Sequence, residues 1–429
     1  MAVQETKQGP ARPKRRRVKI LGPGLIAGAS DDDPSGIGTY SQAGAQFGFA
    51  ICWTMLFSYP LMVAIQEISA RIGRTTGHGI AGNIRRNYPN WMLQGVVALV
   101  LAANTINIGA DLGAMADAVN LLVGGPQHLY VVVIGVACAV LEIFLSYKRY
   151  ASFLRWLTLA LFAYFGTVMV VRVPWGELAY GLLVPTVSAD PAFWTTVVAV
   201  LGTTISPYLF FWQASQEVED LRADSHARPL VKAPLQAPAE LERIRLDTYL
   251  GMAFSNLVAL AIIVTTAATL HANGLTKIET SAQAASALRP VAGEFAFVVF
   301  ALGVIGTGLL AVPVLAGSAA YALAEARKWP NGLARAPRKA KAFYATIAVA
   351  TLIGVLINFS PVNPIGALYW SAVINGVAAV PIMAMMMHMT NNNKMMAKFP
   401  VHHGLRYVGW LATGAMAVAA MAMVVEMIW

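Results

Sequence analysis

The chain alternates between long apolar segments and short polar ones along almost its whole length of 429 residues. The apolar segments hold 19 to 34 residues each, and a helix needs about 20 to cross the hydrocarbon core of a bilayer. They lack the alternation of apolar and polar residues that marks the strands of a membrane barrel. The pattern predicts an all-α integral membrane protein with eleven transmembrane helices, at residues 21–47, 49–70, 91–123, 128–146, 150–171, 192–216, 248–272, 291–324, 342–360, 364–389 and 404–428.

Composition and charge placement agree with a membrane protein. Hydrophobic residues make up 57% of the chain and charged residues only 12%, about half the charged share of a soluble protein. The net charge is +10. If the amino terminus is cytoplasmic, every Lys and Arg except Arg172, Lys277 and Arg289 falls on the cytoplasmic side, which is the positive-inside pattern. We therefore expect a multi-pass protein of the plasma (inner) membrane, in contact with the lipid bilayer, with a cytoplasmic amino terminus and an extracellular carboxyl terminus.

Several function classes are disfavoured by the same features. The basic residues follow membrane orientation, so nucleic-acid binding is not expected. No Walker A motif and no soluble nucleotide-binding domain is found, so ATP-driven pumping is not expected. Residues 1–18 form a basic polar tail that we predict to be disordered. Neither enzymatic activity, nor a cofactor, nor an obligatory protein partner is predicted.

Two of the predicted helices carry a turn signal near their middle. Residues 33–36 of helix one read Asp-Pro-Ser-Gly, and residues 202–208 of helix six read Gly-Thr-Thr-Ile-Ser-Pro-Tyr. Proline lacks an N–H donor and disfavours helical geometry in the residue before it. Both helices are therefore predicted to be broken, which frees backbone carbonyl oxygens that can face a cation.

The positions of the two breaks suggest an internal repeat. A charged, proline-rich cytoplasmic linker at residues 221–244 follows helix six. We divide the bundle into a first repeat of helices one to five (19–172) and a second of helices six to ten (192–389), with helix eleven (404–429) appended. An odd number of helices per half inserts the halves with opposite orientation, so an inverted repeat with a binding site at its midplane is predicted.

Polar side chains within the apolar segments are the candidate chemistry. Asp33 stands at the first break, where a carboxylate costs about 3 kcal/mol on insertion scales and therefore needs a partner or a function. A bound cation is one such partner, and a protonated, hydrogen-bonded Asp is the alternative. In helix three, Asn104, Asn107 and Asp111 form one polar stripe, which is predicted either to hold a hydrated ion near Asp33 or to stabilise helix packing.

At the two breaks the chain resembles the Nramp family of divalent metal transporters. The resemblance covers roughly residues 20–390 in helix order. The motifs that carry it are residues 22–25 (Gly-Pro-Gly-Leu), 33–34 (Asp-Pro), 39–48, 69–73 (Ser-Ala-Arg-Ile-Gly) and 119–122 (Val-Asn-Leu-Leu). The resemblance implies an inverted-repeat fold of the amino-acid/sodium symporter (LeuT) type, with alternating access around a metal at the midplane.

The chain departs from the family pattern at the metal-binding positions. Family members usually read Asp-Pro-Gly-Asn at the first break, where this chain has Gly36 in place of the Asn. They usually read Ala-x-x-Met-Pro-His at the second break, where this chain has Thr203, Ser206 and Tyr208 at the Ala, Met and His positions. By this resemblance, Asp33 supplies charge to the metal, and the Thr203 carbonyl and the backbone near Gly36 supply oxygen. The remaining side chains predicted to shape a hydrated pocket are Ser206, Tyr208, Asp111 and Asn107.

These departures favour a hard cation. Met sulfur suits transition metals, whereas Mg²⁺ prefers oxygen ligands and keeps several of its waters. The pattern looks like the Nramp-related magnesium transporter branch, so uptake of Mg²⁺, with Mn²⁺ also accepted, is expected. Tyr208 replaces a His that would titrate near neutral pH, and we therefore expect uptake that is not coupled to protons. The alternatives are a proton-coupled manganese or iron transporter, an organic-solute symporter on the same fold, and a non-transporting metal sensor.

Overall fold

The computed structural model describes residues 23–144, 157–188, 190, 192–396 and 399–428 of the chain. The regular secondary structure of these residues is helical, as the apolar pattern predicts. The α-helices, in chain order, are α1 (Pro23–Asp31), α2 (Pro34–Phe47), α3 (Trp53–Thr76), α4 (Ile80–Asn87), α5 (Asn90–Val123), α6 (Gln127–Phe144), α7 (Phe162–Val170), α8 (Trp175–Leu183), α9 (Phe193–Thr204), α10 (Pro207–Ala223), α11 (Ala237–Thr269), α12 (Ser281–Ser286), α13 (Arg289–Ala292), α14 (Ala296–Arg327), α15 (Lys341–Ile357), α16 (Pro364–Thr390), α17 (Asn393–Met396) and α18 (His403–Ile428).

Many of these helices have the length and composition of membrane spans. Among the described residues seven spans meet both criteria, with α9 and α10 taken together, and two bent pairs raise the number to nine. The bent pairs are α2 with α3 and α7 with α8. The predicted basic tail 1–18 and part of the predicted segment 150–171 lie outside the described residues. The total of eleven spans and the division into two inverted repeats therefore stay predictions.

Both predicted helix breaks are confirmed. The first helix stops at Asp31 and resumes at Pro34, and the second stops at Thr204 and resumes at Pro207. In each case proline takes the first position of the new helix, where its missing N–H costs no hydrogen bond. The same prolines that prevent a continuous helix therefore start the second half of each.

The two broken helices lie against each other in opposite directions. The first half of one, α1, contacts the second half of the other, α10, while α2 contacts α9. This crossed pairing of halves requires an antiparallel arrangement, and it brings the two breaks together inside the bundle. Helix α11 packs along α1, α2 and α3, and α5 packs against α14, α15 and α16.

Glycines allow the helices around the breaks to approach closely. A Cβ atom at Gly28 of α1 would lie 2.2 Å from the carbonyl oxygen of Gly251 in α11. A Cβ at Gly202 of α9 would lie 2.1 Å from the carbonyl oxygen of Ala372 in α16. Both distances are far shorter than an ordinary van der Waals contact, so only glycine fits these helix crossings. These glycines allow the broken helices to pack closely against their neighbours in the bundle.

The helix that contains the apolar segment 248–272 begins within the predicted linker 221–244. The apolar segment 248–272 marks only part of α11, which begins at Ala237, so the connection from α10 is shorter than the predicted linker 221–244. The first turns of α11 are polar because their side chains form ion pairs. Glu240 pairs with Arg74 at 3.0 Å, and Arg243 pairs with Glu217 at 2.5 Å.

Candidate metal site

Asp33 lies between α1 and α2 and caps the amino terminus of α2. Its Oδ1 accepts hydrogen bonds from the backbone N–H of Gly36 and from the hydroxyl of Ser35, both at 2.7 Å. The side chain is 2% exposed. The unwound Asp-Pro segment therefore fixes a buried carboxylate at the break, as the sequence predicts.

The second carboxylate oxygen of Asp33 faces two other helices. Asn107 of α5 donates its Nδ2 hydrogen to Oδ2 at 3.0 Å, and the hydroxyl of Tyr208 in α10 lies 3.4 Å from the same oxygen. Asn375 of α16 extends this network by donating to Oδ1 of Asn107 at 3.2 Å. The buried Oδ1 of Asn375 has no hydrogen-bond partner among the described residues. Polar side chains of α5, α10 and α16 thus form one network with Asp33 at the first break.

Asp111 lies one helical turn beyond Asn107 and is fully buried. Its carboxylate interacts electrostatically with that of Asp33. Neither of its oxygens forms a well-aligned hydrogen bond with a described residue. Within the described residues neither carboxylate has a basic partner, and such a pair of buried carboxylates favours a bound cation.

Three residues that were predicted to form the metal pocket lie at the breaks, but in this structure they contact backbone carbonyls or Tyr40. The hydroxyl of Ser206 donates to the carbonyl oxygens of Gly202 at 2.8 Å and Thr203 at 2.6 Å. The hydroxyl of Thr203 is hydrogen-bonded to that of Tyr40. At Gly36, an added Cβ would lie 3.2 Å from the Tyr40 ring, so this ring occupies the space beside the glycine. Tyr40 therefore fills part of the pocket that the sequence predicts to be open.

The polar stripe of α5 divides between two roles. Asn104 donates to the carbonyl oxygen of Leu315 at 2.9 Å and to the hydroxyl of Ser318 at 2.7 Å, both in α14. This residue joins two helices and does not contact Asp33. Asn107 instead donates to Asp33, and the interpretation of Asn107 and Asp111 as residues that hold a hydrated ion stays a prediction.

Asp31 and Asp32 add further buried carboxylates next to Asp33. The hydroxyl of Ser255 in α11 lies 2.6 Å from Oδ2 of Asp31 and 3.2 Å from Oδ1 of Asp32. The described residues contain no group of three or more His, Cys, Asp or Glu side chains arranged to hold one metal ion. An ion at Asp33 would therefore use few carboxylates, together with amide, hydroxyl or water oxygens.

Three residues of this region were not among the predicted ligands. Asn375 is a polar residue within an apolar segment, which is a sequence signal for a functional residue, but no such signal identifies Tyr40 or Ser255.

The acidic residues after the second break are partly engaged in structural contacts. Glu217 pairs with Arg243, and Glu219 accepts a hydrogen bond from the backbone N–H of Leu333 at 2.7 Å.

The fold and the site define a polytopic helical membrane protein whose two broken helices meet at a buried carboxylate. The model of the natural resistance-associated macrophage protein-like (Nramp) family matches residues 24–426. The chain belongs to this family of membrane transporters and is not an enzyme.

The chain is also similar to divalent metal cation transporters over about 70% of its length. The chain is 28% identical over 312 residues to the divalent metal cation transporter MntH of Yersinia enterocolitica, covering 70% of this chain and 71% of that protein. It is 28% identical over 311 residues to MntH of Klebsiella pneumoniae, covering 68% and 69% of the two chains.

Solved structures share the fold at lower identity. A manganese transporter of Eremococcus coleocola, crystallised with an aromatic bis-isothiourea compound, superposes with a TM-score of 0.71 at 17% identity, covering 94% of this chain and 85% of that chain. Mhp1, a nucleobase-cation-symport-1 family transporter, superposes with a TM-score of 0.52 at 15% identity over 95% and 92% of the two chains.

Proposed function

We propose that the protein carries divalent metal cations across the membrane by alternating access, with Mg²⁺ preferred and Mn²⁺ accepted, without coupling to protons. The observation that carries this proposal is the setting of Asp33. Its carboxylate is buried where two broken helices meet, and its hydrogen bonds from the described residues come from the neutral groups of Ser35, Gly36, Asn107 and Tyr208. A bound dication would supply the missing positive charge.

Membership of the Nramp family supports a divalent metal cation as the substrate. The relatives described above are named as divalent metal cation transporters or manganese transporters. A carboxylate, amide oxygens and a phenol hydroxyl are the donors at this site, and hard divalent cations prefer oxygen donors of this kind. The described part of the site contains no sulfur or imidazole contact to Asp33.

The preference for Mg²⁺ follows from the small number of strong ligands. Mg²⁺ dehydrates reluctantly and is usually held by one or two carboxylates while it keeps several waters. Asp33 and Asp111 are the two carboxylates at the site, and Asn375 offers a buried amide oxygen that has no hydrogen-bond partner among the described residues. The Met ligand that would favour a softer metal is replaced by Ser206, whose hydroxyl contacts backbone carbonyls.

Tyr208 stands at the position where ordinary family members have a His linked to proton handling. A phenol has an ordinary pKa of about 10 and stays neutral over the physiological range, whereas His would change charge there. An inward potential contributes about 2.3 kcal/mol per charge for each 100 mV. A dication gains roughly twice this amount, so uptake proceeds without a second ion.

The test is Mg²⁺ flux into proteoliposomes that carry an imposed inside-negative potential, a Mg²⁺ indicator and a pH dye. We expect Mg²⁺ influx with no change in internal pH, and loss of influx in the Asp33→Ala variant. The matched control is Glu177→Gln, which neutralises an exposed carboxylate of α8 away from the site and is expected to leave flux unchanged. Size-exclusion profiles and melting temperatures check that each variant is folded.

Three results would contradict the proposal. Acidification of the lumen during metal uptake would indicate a proton-coupled transporter of the ordinary Nramp type. Transport of Mn²⁺ without any transport of Mg²⁺ would exclude the magnesium preference. Uptake of an organic solute with no flux of either ion would place the protein with the solute symporters that share the fold.

A further inference from the structure

We propose that Asp31, Asp32 and Ser255 form a second divalent-cation site, adjacent to the Asp33 site and occupied by the transported ion before its release. This inference rests on the proposed function, because the same dication binds at both places. It adds a second site that neither the family resemblance nor the relatives assign.

Asp31 and Asp32 are buried carboxylates with few hydrogen bonds from the described residues. Asp31 is 0% exposed and Asp32 is 1% exposed. Oδ1 of Asp31 and Oδ2 of Asp32 have no hydrogen-bond partner among the described residues. Their remaining oxygens both contact the hydroxyl of Ser255, which has a single hydrogen to donate. Of the four carboxylate oxygens, two therefore have no hydrogen-bond donor among the described residues, and the other two compete for one hydrogen.

The charge of the surroundings also favours a bound cation. Within the described part of the chain, no ion pair reaches Asp31, Asp32, Asp33 or Asp111. Helix α1 ends at Asp31, so the negative end of its dipole points at the same place. One dication at Asp33 and Asp111 balances two of these four charges. A second dication at the neighbouring pair balances the other two.

The two sites are distinct because they face different helices. Asp33 contacts α5 through Asn107 and α10 through Tyr208, whereas Asp31 and Asp32 contact α11 through Ser255. Asp31 and Asp33 are two positions apart, which limits their Cα separation to about 7 Å. An ion can therefore pass from one carboxylate to the next over a short distance.

Two adjacent sites also help to release the transported ion. Two dications this close repel each other, and multi-site conduction relies on such repulsion to free an ion that would otherwise bind too tightly. Asp31 and Asp32 lie on the amino-terminal side of the break, which the charge pattern places toward the cytoplasm. The second site is thus on the exit side, and we expect its affinity to be the weaker of the two.

The proposal is tested by ion binding to the full-length protein in detergent or nanodiscs. Isothermal titration with Mg²⁺ gives the number of sites, and electron paramagnetic resonance of bound Mn²⁺ reports magnetic coupling between neighbouring ions. The wild-type protein is expected to bind two ions and to show coupled Mn²⁺ at saturation. The Asp33→Ala variant and the Asp31→Asn, Asp32→Asn double variant are each expected to bind one uncoupled ion.

The single variant Asp32→Asn guards against misfolding of the double variant. It removes one charge with little change of shape, and we expect at least tenfold weaker binding of the second ion with an unchanged first one. If the wild-type protein binds one ion, and the variants at residues 31 and 32 bind it equally well, the second site is overturned and the proposed function stays intact. A wild-type protein that binds one ion, lost in the double variant, would also overturn it, because the carboxylates would then share a single site. A wild-type protein that binds no divalent ion would overturn both proposals.

Discussion

The hydroxyl of Tyr208 lies 3.4 Å from Oδ2 of Asp33 and donates to the carbonyl oxygen of Ser30 at 3.1 Å. One side chain from the start of α10 thus contacts both the last turn of α1 and the carboxylate that caps α2. The hydroxyl has one hydrogen, so its two acceptors compete for it. Any movement of α1 relative to α10 during transport must change this contact and, with it, the donors available to Asp33.

The variant Tyr208→His is expected to make uptake depend on pH. Imidazole has an ordinary pKa of about 6.5, so it gains a positive charge as the pH falls through this range. A cation at this position pairs with Asp33 and competes with the transported dication. We expect Mg²⁺ uptake by the variant to fall about tenfold between about pH 8 and about pH 5.5, measured as initial rates in proteoliposomes.

The control for this prediction is Tyr208→Phe. It removes the hydroxyl and the single hydrogen for which Ser30 and Asp33 compete, a hydrogen bond worth about 1 kcal/mol, but adds no group that titrates. Its uptake is expected to be slower than that of the wild type and equally flat across this pH range. If Mg²⁺ uptake by Tyr208→His does not change with pH, or uptake by Tyr208→Phe does, Tyr208 does not control the charge at the site.

The sequence predicts those parts of the site that depend on local chemistry. The breaks follow from proline at residues 34 and 207, and Asp33 and Asn107 are polar residues where apolar ones are expected. The contacts of Tyr40 with Thr203 and of Ser255 with Asp31 join residues far apart in the chain. No periodicity or motif encodes such contacts, because they arise only when the helices pack.

The start of α11 shows a second limit. Apolar content predicts where a helix enters the membrane, not where it begins. Glu240 and Arg243 make the first turns of α11 polar, and their ion pairs with Arg74 and Glu217 form only in the folded bundle. A hydrophobicity pattern therefore assigns these turns to a linker.

The double variant Gly36→Asn, Ser206→Met is expected to shift selectivity toward transition metals. It restores an amide oxygen at the first break and a thioether at the second, and the softer ligand favours Mn²⁺ over Mg²⁺. A Cβ at Gly36 lies 3.2 Å from the ring of Tyr40, so this ring must move by a few tenths of an ångström. We expect the ratio of Mn²⁺ to Mg²⁺ uptake to rise about tenfold, or about 1.4 kcal/mol, in competition assays.

Ser206→Ala is the matched control for selectivity. It removes the hydroxyl that contacts Gly202 and Thr203 without adding sulfur. Its uptake of both metals is expected to change in the same proportion. If the double variant keeps the wild-type ratio, Gly36 and Ser206 do not lie at the metal site.

Replacing Gly202 by Ala is expected to destabilise the protein. The added methyl group would lie 2.1 Å from the carbonyl oxygen of Ala372 and 2.6 Å from the backbone nitrogen of Gly376, so α9 and α16 must separate. Overpacking of this kind costs about 1–3 kcal/mol. Gly95→Ala is the control, since this exposed glycine of α5 has no atom within 4 Å of an added Cβ. The melting temperature should fall for Gly202→Ala and stay equal or rise for Gly95→Ala; equal values for both would contradict the close helix crossing.

His78, in the turn between α3 and α4, is expected to make stability depend on pH. Burial, followed by the positive charges of Arg86, Arg222, Arg85 and Lys232, lowers the pKa of His78 to about 4. The unfolded chain takes up a proton as the pH falls below about 6.5, whereas the folded protein does so only near pH 4. Stability is therefore lost as the pH falls between these two values, and no further loss from this residue occurs below them.

The variant His78→Gln removes this proton uptake from the unfolded chain. Its side chain can still donate and accept hydrogen bonds, so we expect a modest change in melting temperature at about pH 7.5, where His78 is neutral in both states. On acidification to about pH 4.5, the melting temperature of the wild type is expected to fall more steeply than that of the variant. Thermal unfolding in detergent over this range measures the difference. Parallel curves for the two proteins would mean that His78 takes up its proton equally well in the folded bundle, and that the surrounding arginines and burial do not act on it.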